Sequence, residues 1–140
     1  MMDSLLVKLA ELAEIEFADV VMGYDIIEGK LRLFIIDESF LDVWFSRQIF
    51  GRYAYHWERR HVDGDVFRWD NAKHEVWKSI KTFPHHFHDG IDNIVHESLL
   101  PEIPDKALRY VLTYVREVLY NNKFGVNQDD LPSPDYKKEV

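Results

Sequence analysis

Three groups of side chains between residues 53 and 88 have the types and spacing that chemistry requires. His56 sits in Tyr53-Ala54-Tyr55-His56-Trp57. Arg68 and Asp70 sit in Phe67-Arg68-Trp69-Asp70-Asn71-Ala72, with His74 just beyond. His85, His86 and His88 close the stretch in Phe83-Pro84-His85-His86-Phe87-His88. Six of the seven histidines fall here, and imidazole is the side chain that exchanges protons near neutral pH. Guanidinium holds a phosphate or the charge of a phosphorane, and a carboxylate orients either partner. The combination suits phosphodiester cleavage. General acid–base help is worth about 10²- to 10⁴-fold, so phosphate positioning must accompany it.

Strands would position these groups. Alternation along Arg52 to Arg59 puts Tyr53, Tyr55 and Trp57 on one face and Arg52, His56 and Glu58 on the other. Along Asp65 to Asp70 it separates Phe67 and Trp69 from Arg68 and Asp70. The turn His61-Val62-Asp63-Gly64 carries an Asp-Gly hairpin signal, so the two strands pair. Pairing the aromatic sets makes a core face and gathers Arg52, His56, Arg68 and Asp70 on the opposite one. The expected catalytic set is His56, Arg68 and Asp70, with His86 or His88 as the second proton carrier. Arg52, Asn71, Lys73, His74 and His85 are expected to bind around it. Tyr55 is expected in the core, with an edge left to stack a base. The segment after residue 70 is read as a loop folding back over the polar face. The bland alternative is a solvated sheet face with weak cross-strand ion pairs.

His85, His86 and His88 also suggest a metal site, with Asp70 or Asp89 as carboxylate ligand. Pro84 favours an extended Phe83, which puts His86 and His88 on a common side and His85 apart. Neither a metal nor a cofactor is assigned, and a histidine-ligated metallonuclease stays an alternative.

The remaining elements follow from periodicity. Residues 3 to 17 form an amphipathic helix, with Leu5, Leu6, Leu9, Leu12, Ala13 and Phe17 at three- and four-residue spacing. Strands are expected at Val20 to Ile27, Leu31 to Ile36 and Phe40 to Phe45, before the two already described. Short turns between them predict a five-stranded antiparallel meander. Residues 71 to 100 are irregular, with Glu75 to Ile80 as one helical turn or a short edge strand. Asp105 caps a second helix striped by Leu108, Val111, Leu112, Val115, Val118 and Leu119, which ends near Asn121-Asn122 and Gly125. The expected organisation is one α+β domain over 1–125, with helices flanking the sheet, and a flexible tail over 126–140.

Composition narrows the function classes. The 140 residues are 46% hydrophobic and 30% charged, as in folded globular chains. No apolar run approaches bilayer length, and the start Met1-Met2-Asp3-Ser4 does not read as a secretion signal. A cytoplasmic location without membrane association is expected. With no cysteine, disulfides and thiolate metal sites are excluded. The net charge of −8 argues against indiscriminate nucleic-acid binding. Yet residues 44 to 88 hold eight Lys/Arg against five acids, a basic segment on an acidic body.

In order and spacing, Phe40-Leu41-Asp42-Val43, Tyr53 to Trp57, Phe67 to Ala72 with His74, and Phe83 to His88 resemble the TumE family over about residues 25 to 90. These are small toxins of prokaryotic type II toxin–antitoxin modules. The resemblance implies a cognate antitoxin as partner and a nuclease-type or translation-inhibiting activity, with RNA as the expected target. The family's motif positions fall on Tyr55, His56, Trp57, Arg68, Asp70, Asn71, His74, Pro84, His85, His86 and His88. Lys73 replaces a proline that the family tends to have. Phe87 replaces a usual lysine, which would remove one phosphate-binding charge. The helix after residue 100 lies outside the resemblance and is expected to bind the antitoxin or form a homodimer. A non-catalytic module that docks a protein partner is the rival reading.

Overall fold

A computed structural model describes residues 2–90 and 94–123. Two helices cover one face of an antiparallel sheet whose strands follow in chain order. The elements are α1 (Met2–Glu16), β1 (Val21–Ile27), β2 (Lys30–Ile35), β3 (Phe40–Phe45), β4 (Tyr53–Arg59), β5 (Asp65–Asp70), β6 (His86–Asp89), β7 (Ile94–Glu97) and α2 (Pro104–Lys123). The α+β meander is as expected, but it has seven strands rather than five. The extra strands are four residues each, too short for alternation to stand out, and β6 starts just after the proline that cannot join a ladder. The tail expected over 126–140 and Gly125 lie outside the described residues.

Local chemistry explains the elements. The β1–β2 hairpin turns on Glu28 and Gly29, both at positive φ, as a two-residue turn matched to strand twist requires. In α1 the buried residues Leu6, Leu9, Ala10 and Ala13 recur at helical spacing. Pro104 opens α2, at a position where its missing N–H costs nothing. Arg109 pairs with Glu16 and Arg116 with Asp19, joining α2 to the end of α1 and the turn that follows.

Register makes two parallel rows across the strands. Leu31, Val43, Tyr55, Trp69 and Phe87 are successive partners from β2 to β6, and all are buried beneath the helices. Arg32, Asp42, His56, Arg68 and His88 are successive partners one residue along, on the opposite face. Tyr114 of α2 meets Trp57, Phe67, Trp69 and Phe87 edge-on at centroid distances of 5.2 to 6.4 Å. The stripe of α2, Leu108, Val111, Leu112 and Val115, is fully buried. It is therefore core.

Candidate active site

The polar row carries the site. His56 on β4, Arg68 on β5 and His88 on β6 stand side by side because the meander pairs these strands in register. Arg68 is the central member. Its Nε donates to Asp70 Oδ2 at 2.8 Å, and its NH1 lies 3.1 Å from His56 Nδ1. Since a guanidinium can only donate, Nδ1 accepts, and the His56 proton sits on Nε2, 3.2 Å from Glu58 Oε1. Two of the five guanidinium N–H groups are thus used, leaving donors for an anion above the sheet.

Charge is arranged unevenly along this row. Burial lowers the pKa of His56, the Glu58 hydrogen bond opposes that, and the neighbouring Arg68 charge reinforces it, for a net lowering. His56 is held neutral. Hydrogen bonds from the Arg60 side chain, chiefly, lower the pKa of Glu58 to about 2. For Asp70 burial works upward, but His86, Arg68 and the Ala72 amide outweigh it and hold the carboxyl well below the usual range. For His86 burial works downward, yet Asp70 and the Pro84 carbonyl leave it raised.

Residues 71–85 are loop and 3-10 turn, as expected, and supply Ala72, His74 and Trp77 to the cleft, but the histidines at the end of the segment lie in a strand. His86 and His88 share a side, as predicted, but they lie in the plane of the sheet on β6, paired with Asp70 and Arg68. His86 is 1% exposed, beneath the surface rather than in reach of a substrate. His88 stays half-buried at the cleft edge. His85 points elsewhere: its Nδ1 is 2.9 Å from the Tyr53 hydroxyl, and the two rings stack. Asn71 bridges the Tyr53 amide and the Gly51 carbonyl, so it shapes the entrance to β4. Tyr55 is 1% exposed on the helix side and offers no stacking edge to the cleft. Lys73 and His74 are exposed near the rim.

A cleft of about 420 Å³ opens over these groups, lined by Arg52, His56, Arg68, Asp70, His74 and His88 among others. A second, of about 610 Å³, continues across β2 to β4 and shares Arg52, His56 and Arg68. Arg52 has no ion-pair or hydrogen-bond partner among the described side chains, which leaves its charge available to a ligand. Trp77, on the 3-10 turn Glu75–Trp77, closes one side, its ring centroid 4.7 Å from that of His86 and 4.9 Å from that of His88. Sequence reasoning missed Trp77. The available signal was a lone tryptophan in a polar, irregular segment between two histidine groups.

Phe87 is also placed differently from expectation. It faces the helices, 1% exposed and stacked on Trp69 at 4.6 Å. A lysine there would not point into the cleft, so this departure leaves the site's charge intact.

A family model described as Toxin TumE matches residues 3–119. The match takes in all seven strands and most of both helices, well beyond the motif stretch. No curated protein and no solved structure matches the chain. No helix among the described residues is long and apolar enough to cross a membrane.

Proposed function

The chain belongs to the TumE toxin family, and from that premise we propose that it is the toxin of a type II toxin–antitoxin module and cleaves RNA by metal-independent acid–base catalysis. The observation that supports this most is the row His56–Arg68–His88, two imidazoles flanking a guanidinium on one open cleft. Adjacent strands are about 4.8 Å apart, so the two histidine strands are separated by roughly 10 Å, enough to seat a phosphate between them. Arg52 and Arg68 hold that phosphate. His56 Nδ1 exchanges its Arg68 hydrogen bond for the ribose 2′-hydroxyl and takes its proton. The 2′-oxygen attacks phosphorus, and the bond to the 5′-oxygen breaks as His88 protonates that oxygen. The products are a 2′,3′-cyclic phosphate and a 5′-hydroxyl. Asp70 orients Arg68 and supplies counter-charge 3.8 Å from His88 Nε2. His86 supports Asp70 from below. A cognate antitoxin protein restrains the activity.

Incubating purified protein with bulk RNA, with and without chelator, tests this. Cleavage indifferent to chelator, ending in cyclic phosphate, is expected. RNA left intact throughout, alongside tight binding of a protein partner, would identify a non-catalytic module instead.

The pH profile gives a second check. A base with a lowered pKa stays unprotonated further into acid. The acidic limb of kcat/KM should therefore lie below about pH 6.5, the ordinary histidine value. A limb above that value removes His56 from the role of base.

A further inference from the structure

We propose that Asp70, His86 and His88 bind a divalent transition-metal ion, and that its capture shuts off the chemistry of the cleft. The shut-off rests on the cleavage reading above, whereas the binding site stands on geometry alone. One donor atom from each residue falls within 4.8 Å of the other two. Asp70 Oδ1 is 3.0 Å from His86 Nε2, and Asp70 Oδ2 is 3.8 Å from His88 Nε2. Metal bonds of about 2.0–2.2 Å at tetrahedral angles separate ligand atoms by about 3.3–3.6 Å, so roughly an ångström of side-chain movement closes the set.

The state of His86 is the second observation. Its Nδ1 lies 2.8 Å from the Pro84 carbonyl, which can only accept, so Nδ1 carries a proton. Nε2 is buried and has no aligned hydrogen-bond partner among the described residues, despite the nearby carboxylate. It faces the Asp70 carboxylate 3.0 Å away, so a metal ion held by both atoms would replace the proton that otherwise lies between them.

The surroundings are those of a metal site. A backbone carbonyl fixes one histidine ligand, and Arg68 Nε fixes the carboxylate at 2.8 Å. Trp77 lies against both imidazoles. Two imidazoles and one carboxylate suit zinc and its first-row neighbours better than magnesium or calcium. Metal bound at His88 Nε2 occupies the atom that would otherwise deliver a proton to the leaving oxygen.

Calorimetric titration of the full chain with Zn²⁺, and visible absorption of its Co²⁺ form, read the site without RNA. Circular dichroism confirms folding of each variant. Asp70→Asn is expected to weaken Zn²⁺ binding by at least about 10-fold, the loss that even outer-shell changes produce. His88→Ala, at the cleft edge, should do the same and serves if Asp70→Asn does not fold. His85→Ala should leave affinity unchanged. Dependence on His85 but not on Asp70 would place the ion on the adjacent-histidine run and overturn the site. In the cleavage assay, Zn²⁺ should inhibit the wild type and chelator restore it. Activation by Zn²⁺ would overturn the shut-off and the metal-independent mechanism while leaving the binding site in place. Absence of any cleavage would overturn the cleavage reading, with calorimetry still deciding the site.

Discussion

Arg68→Ala is expected to abolish growth inhibition and to lower RNA cleavage by about 10²- to 10³-fold, the usual cost of losing a donor aimed at transition-state charge. Arg68 touches both sides of the cleft, bonding Asp70 through Nε and His56 through NH1. Its removal takes away the phosphate anchor and the group that fixes the His56 tautomer together. The side chain is 39% exposed, so truncation leaves no sealed cavity and the fold should persist. Arg68→Lys separates charge from geometry. An ammonium restores the charge but not the planar fork that serves two neighbours and a phosphate at once, so it should recover little activity. Growth assays, with purified protein checked by circular dichroism, decide the matter. Full toxicity of both variants would remove Arg68 from the mechanism.

Phe87→Lys carries the largest expected effect on stability. Phe87 is fully buried between Trp69 and Phe67 and meets Tyr114 edge-on at 5.6 Å. Deleting a buried phenylalanine costs about 3–5 kcal/mol, and an ammonium on this apolar side adds a desolvation penalty. Urea unfolding should show stability lowered by at least about 3 kcal/mol, read as a lower midpoint at an unchanged slope. An unaltered midpoint would mean that the residue does not face the helices.

How much was legible depended on the length of each pattern. β4 and β5 are seven and six residues long with clean alternation, so their aromatic and polar faces could be separated before any coordinates. Asp70, Arg68 and His56 followed from those faces. β6 holds only two outward positions, His86 and His88, too few for alternation to show. Their pairing with Asp70 and Arg68 is a long-range fact set by sheet register. The family motif drew attention to the lysine charge missing at Phe87, although the direction of that side chain is fixed by the strand. The same holds for Asn71 and His85, whose partners Gly51 and Tyr53 lie far away in sequence. Trp77 became visible only when the 3-10 turn brought it against the histidines.

The meander has a consequence for the newly made chain. Each strand pairs only with its sequence neighbour, so hairpins can form in order as they leave the ribosome. The aromatic side of that sheet nevertheless stays bare until α2 arrives, because Tyr114 and the stripe from Leu108 to Val115 are its cover. All the residues of the cleft precede α2 in the chain. A nascent chain displaying every one of them still lacks the apolar burial that holds the sheet rigid, and domains generally fold as units. If the chain cleaves RNA as proposed above, that competence would be acquired late, at the docking of a helix that touches none of the chemistry. For such a toxin, the delay would keep the half-made chain from acting while it is still being made.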